Sequence, residues 1–122
     1  MPEIDVLLFR EGGDVVPLLH WLDGLPEKVQ NKCIVRIERL AQQGHLLRRP
    51  EAALLRDGVY ELRVRHQHVN YRMLYFFHQG RAVLSHGITK ERRVPDREID
   101  LAVRRRVQFA HDPGRHTYRE EV

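Results

Sequence analysis

The sequence predicts a small α+β domain: an antiparallel, or mixed, sheet of about four strands, with helices before it and one helix after it. Three observations predict this. Residues 59–65, VYELRVR, alternate cleanly, with Tyr60, Leu62 and Val64 on one face and Glu61, Arg63 and Arg65 on the other. Two more β-rich runs follow, VNYRMLYFFH and RAVLSHGI, joined through His78-Gln79-Gly80-Arg81, which reads as a hairpin turn. Helical periodicity flanks these strands on both sides, so helices pack on a sheet within one domain spanning residues 1–122.

Taking the chain in order, residues 4–9 read as a short first strand and residues 11–14 as a turn. Asp14 is placed to cap a short helix over residues 15–22, with Pro17 in its first turn and Trp21 packed inward. A second helix starts at Pro26 and ends at Gly44. Its apolar stripe is Val29, Cys33, Ile34, Ile37, Leu40 and Ala41, and Lys28, Lys32, Arg36 and Arg39 form a solvated row. Residues 45–55 read as an irregular loop, because Arg48-Arg49-Pro50 resists helix. Asp57-Gly58 then turns the chain into the strands. After Pro95, DREIDLAVRRRVQFAH reads as a third helix with a stripe of Ile99, Ala102, Val103, Val107 and Ala110. The tail, residues 112–122, is polar and reads as loose.

The chain has 122 residues, enough for one core. No apolar run approaches the roughly 20 residues that span a bilayer, and the acidic start does not read as a signal peptide. A single cysteine, Cys33, excludes an internal disulfide and a multi-cysteine zinc site, and on an apolar stripe it reads as a packed thiol. These features predict a cytoplasmic protein. The net charge is +4, but residues 1–44 carry −2 and residues 45–119 carry +8. Such asymmetry points to a polyanionic partner. Only Lys28, Lys32 and Lys90 are lysines, against eighteen arginines, whose planar fork grips phosphate through two bonds.

Arg63 and Arg72 lie on strands, and Lys90, Arg92 and Arg93 follow the last strand within TKERRVP. If these segments converge, they form a cationic site on rigid support, suited to binding and cleaving RNA. Histidines surround this set. His66 and His68 sit two apart near a strand end; they and Arg65 are candidates for RNA contact, while no third ligand accompanies them for a metal. His86, at the end of an apolar strand, is either a buried hydrogen-bonded group or a member of the RNA site. Asp96, Glu98 and Asp100 complement a helix N-terminus.

LRDGVYELRV, then YRMLYFF, then HGITKERRVPDREIDLAVRR, in that order and spacing, resemble the RelE/ParE superfamily of bacterial toxins, nearest its HigB-like, phage-related branch. The resemblance covers residues 4 to about 110. It implies a type II toxin–antitoxin toxin, neutralised by an antitoxin that is often a helix-turn-helix protein. It also implies cleavage of messenger RNA on the ribosome without metal or cofactor, by 2′-hydroxyl attack on the adjacent phosphate. Residue by residue, it puts Arg63 at a basic position of the first site strand and Arg72 at the phosphate-binding arginine. Lys90, Arg92 and Arg93 fall in the basic loop, where Glu91 departs from the pattern. His111, His116 and Tyr118 are candidates for the late aromatic or histidine of some members. A ParE-like inhibitor of DNA gyrase and an inactive phage-derived homologue share the same fold and remain alternatives.

Overall fold

A computed structural model describes residues 3–89 and 92–118. The elements are β1 (Val6–Leu8), α1 (Pro17–Asp23), α2 (Glu27–Gln43), β2 (Ala52–Arg56), β3 (Val59–His66), β4 (Val69–His78), β5 (Arg81–Thr89), α3 (Asp96–His111) and α4 (Pro113–His116). They build one five-stranded mixed sheet in the order β1-β5-β4-β3-β2. The β2–β5 run is antiparallel and β1 lies parallel to β5. This α+β arrangement is consistent with the RelE-like fold that the resemblance implies.

Three tight hairpins follow from local chemistry. Asp57-Gly58, Gln67-His68 and Gln79-Gly80 all have positive φ at both turn residues. That conformation matches the right-handed twist of the flanking strands. With two-residue turns the register is fixed, so each strand's alternation decides which layer its side chains meet. Leu62, Val64, Met73, Tyr75, Ala82 and Leu84 meet α1 and α2 through Leu18, Leu22, Val29, Cys33 and Leu40. Val59, Leu74 and Ile88 meet α3 on the other face through Ile99 and Ala102, and Phe76 and Val83 meet Phe9 and Phe109. Each Val, Leu, Ile, Met or Phe among them that is fully buried contributes roughly 1.5–3 kcal/mol.

The alternation of β5 changes phase at one point. Leu74 pairs with His86, but Tyr75 pairs with Leu84, so Ser85 is an extra residue in the ladder. Before this bulge the odd-numbered residues face α3; after it the even-numbered ones do. The shift turns Gly87 and Thr89 toward α1. Trp21 packs flat on Gly87, where an added Cβ would overlap its ring, and its Nε1 donates to Thr89 Oγ1 at 2.9 Å.

Several expectations are corrected. The sheet has five strands rather than about four, because residues 52–56 of the expected loop form edge strand β2. Val16, not Asp14, occupies the N-cap of α1, with no side-chain cap. Ile34 is exposed on α2, and on α3 the buried stripe is Ile99, Ala102, Arg105 and Phe109, leaving Val107 and Ala110 outside. The basic row on α2 is not simply solvated: Arg39 grips Glu51 through two bonds of 3.0 Å, and Arg36 Nη1 donates to the Arg63 carbonyl at 2.6 Å. Residues 112–118 are tied down. Asp112 accepts from the Arg115 N–H, Phe9 bridges Thr117, and the Tyr118 N–H donates to the Leu8 carbonyl.

Candidate functional site

The α3 face of the sheet is only partly covered by α3. Beyond the helix's first turn, β3 and β4 present Glu61, Arg63 and Arg72. Their register sets Arg63 directly opposite Arg72. Like charges opposite each other across a strand pair are unfavourable, and Glu61 answers them. Its carboxylate, 4% exposed, divides between the two guanidinium groups. Arg72 Nε lies 2.8 Å from Oε1, and Arg63 Nη2 donates to Oε2 at 2.9 Å. Arg72 is also buried, with its side chain 11% exposed, whereas the Arg63 side chain is 34% exposed. Glu61 therefore holds both arginines in place while leaving the group with net positive charge.

The segment after β5 closes over this floor. Arg72 Nη2 donates to the Arg92 carbonyl at 2.9 Å, and Val94 is buried against Ile99 and Ala102. Together these residues bound a cleft of about 350 Å³, lined by Arg63, Arg72, Arg92, Arg93, Glu61, Arg56 and Asp96 among others. Arg92 and Arg93 are exposed on it. Arg56 is occupied elsewhere: it bridges Asp57 at 2.8 Å and Asp100 at 2.6 Å, tying the β2 end to the start of α3. A second cleft of about 520 Å³ shares Arg63 and Arg72 and continues past Arg65 toward Arg36. Four of the five arginine and lysine candidates thus converge on one cleft; Lys90, like Glu91, lies outside the described residues.

The remaining candidates fall elsewhere. Arg65 is exposed, two residues along the same face of β3. His66 closes the β3–β4 hairpin and His68 is in its turn, with Arg65 Nη2 3.5 Å from His68 Nδ1. His86 is not at the surface. It is buried under α3 with Nδ1 2.8 Å from Ser85 Oγ and Nε2 3.0 Å from Glu98 Oε1. Burial, then the nearby Arg105 charge, holds its pKa below the ordinary imidazole value. The bulge explains its environment, since it turns Ser85 and His86 to the same layer. His116 stacks on Phe9 with ring centroids 5.0 Å apart and meets the Arg10 carbonyl at 2.8 Å, beside β1 and far from β3. His111 is exposed at the end of α3, and Tyr118 pairs with β1.

Sequence reasoning passed over two groups. Glu61 carried a signal, since alternation puts it on the Arg63 face; its proximity to Arg72 needed the cross-strand register. Arg105 also carried one, lying three residues after Ala102 and four before Phe109. Its guanidinium is buried, 2.7 Å from Glu11 Oε1 and 5.3 Å over the Phe9 ring, and burial lowers its pKa. Among the described residues no cluster of three or more His, Cys, Asp or Glu could hold a metal ion, and no helix is long and apolar enough to cross a membrane.

A family model for phage derived protein Gp49-like (DUF891) matches residues 20–108. The chain belongs to this Gp49-like family. The matched segment holds α2, β2 to β5, most of α1 and α3, and every arginine of the cleft. No curated protein matches the chain. For a Gp49-like protein, then, the cleft over β3 and β4 is a rigid concave surface on which cations from two strands and a following loop meet. Guanidinium forks match phosphate oxygens in pairs, so the chemistry of such a surface suits an anion.

Proposed function

We propose that this Gp49-like protein is the toxin of a type II toxin–antitoxin system, a HigB-like endoribonuclease that cuts messenger RNA on the ribosome without metal or cofactor. The observation that carries the reading is the meeting of Arg63 and Arg72 across β3 and β4, beneath Arg92 and Arg93. The association of the Gp49-like family with RelE-like toxins supports it. In the reaction, the ribose 2′-oxygen forms a bond to the adjacent phosphorus and the bond to the 5′-oxygen breaks. The 2′-hydroxyl loses its proton and the leaving oxygen gains one. Negative charge builds on the non-bridging oxygens and the leaving group, and fixed guanidinium groups stabilise it there. Glu61 acts as a positioning carboxylate, holding both guanidinium groups so that little reorganisation accompanies the reaction. The ribosome presents the RNA in line for attack, and a co-expressed antitoxin, of helix-turn-helix type, blocks the protein.

Primer extension on messenger RNA after induced expression tests this. Arg72 is half of a buried ion pair with Glu61, so Arg72→Ala would lose stability as well as cutting. Arg63→Ala and Arg72→Lys are the cleaner variants. Each is expected to melt as a folded protein and to cut about 10²–10³-fold more slowly. Normal cutting by both would remove the arginines from the mechanism. Intact messenger RNA together with inhibited gyrase would replace the nuclease by the ParE-like reading. With neither effect, the inactive homologue stands.

A further inference from the structure

The sheet's two outer edges are treated differently. Beside β1, the Phe9–Thr117 bridge and the Tyr118 N–H to Leu8 carbonyl bond continue the hydrogen bonding. Beside β2 no strand follows among the described residues. The Arg63 N–H donates to the Glu51 carbonyl, so the backbone groups of alternate residues point to β3 and those of Leu54 point away from it. The Ala52 N–H is taken up by the Arg48 carbonyl, which centres the open stretch on Leu54.

An apolar side chain accompanies this edge: Leu54 is 57% exposed. A cleft of about 780 Å³ adjoins it, walled by Leu47, Ala52, Ala53, Leu54 and Tyr60 and flanked by Arg48 and Arg49. Neither Arg48 nor Arg49 is ion-paired within the described residues, although most other arginines near the sheet are. Native proteins usually blunt such edges with charge, brevity or a bulge. Here the bulge between Leu54 and Arg56 limits the usable length without covering it.

We propose that the β2 edge is a docking surface for a short, extended segment of a partner protein, with acidic and apolar residues alternating, which adds to the sheet as a sixth strand. Backbone hydrogen bonds supply affinity in this mode, and alternate side chains supply selectivity. The apolar residues of the segment lie against Leu54 and Tyr60 on one face, and the acid at the end of the segment that passes the start of β2 meets Arg48 and Arg49. A second copy of this chain is the poorer occupant. Antiparallel two-fold pairing of β2 with itself sets Arg56 of one copy toward Arg48 and Arg49 of the other. The proposal does not depend on the nuclease reading.

The test uses the full-length ¹⁵N-labelled protein and two capped hexapeptides, Glu-Val-Glu-Val-Glu-Val and Lys-Val-Lys-Val-Lys-Val. Amide shifts centred on residues 52–56 with the glutamate peptide alone are expected. Arg48→Glu is expected to weaken that response about fivefold, as an attractive surface pair becomes a repulsive one. Leu54→Glu, also at an exposed position, is expected to weaken it at least as much. The proposal is overturned if the two peptides act alike, if shifts centre instead on Arg63 and Arg72, or if concentrating the protein alone produces the β2 shifts.

Discussion

Replacing Glu61 with glutamine would separate the two things this carboxylate does. It removes the negative charge between Arg63 and Arg72 while keeping the size of the side chain. Breaking one partner of a buried ion pair costs about 3–5 kcal/mol. The Arg72 side of the interaction is nearly that buried; the Arg63 side is a third exposed, so solvent screens its share to about 0.5 kcal/mol. The amide oxygen still accepts one hydrogen bond, which returns about 1 kcal/mol. The net loss is about 2.5–4.5 kcal/mol, or a melting temperature lower by roughly 10–18 °C in a domain of this size. Anion binding should move the other way, because both guanidinium groups lose their internal counter-charge. Thermal melts by circular dichroism in rising inorganic phosphate read both effects. Glu61→Gln should start lower than the parent and gain more from phosphate, since a ligand stabilises through its affinity for the folded state. A variant that melts within about 1 °C of the parent, or gains no more from phosphate than the parent does, would refute the account of Glu61 as the brace of a phosphate site.

Other consequences are as direct. Gly87→Ala drives a Cβ into the Trp21 ring, and destabilisation near the upper end of the ~1–3 kcal/mol typical of overpacking is expected, with a red-shifted tryptophan emission. Burial pushes the Cys33 thiol up to about 11, so Ellman's reagent at pH 8 should react with it only on unfolding. The His86 pKa is lowered in the folded state, so the unfolded chain binds the extra proton first as pH falls below about 6.5. Stability from this group is present above that pH and declines below it. Urea midpoints at pH 7.5 and 5.5 should therefore differ less in His86→Gln than in the parent.

How much of this could be read beforehand depended on whether one segment carried the pattern. The strict alternation of residues 59–65 placed Glu61 and Arg63 together on one face, and the β4–β5 hairpin was evident from its turn. Pro26 and Gly44 bracketed α2 correctly. Strand β2 was hidden because it is short and follows Arg48-Arg49-Pro50, and its pairing with β3 is a tertiary fact. Helix α3 was located and Ile99, Ala102 and Val103 do face the core, but beyond them Arg105 and Phe109 turn inward in place of Val107 and Ala110. Arg105 takes a core position that hydrophobic periodicity assigns to apolar residues, and it does so only because Glu11 and Phe9 are there to receive it. The cleft itself was half legible: residue types suggested convergence, whereas the Glu61 brace depends on register between strands.

The single surplus residue in β5 also restricts how this chain can vary in length. Deleting Ser85 itself would make the ladder regular and leave everything downstream in its present layer: His86 would follow Leu84 directly, Ile88 would still face α3, and Gly87 and Thr89 would still face Trp21. A one-residue gap elsewhere in β5 would instead exchange the layers on one side of it, and the loop that carries Arg92 and Arg93 to Arg72 is aimed by that phase.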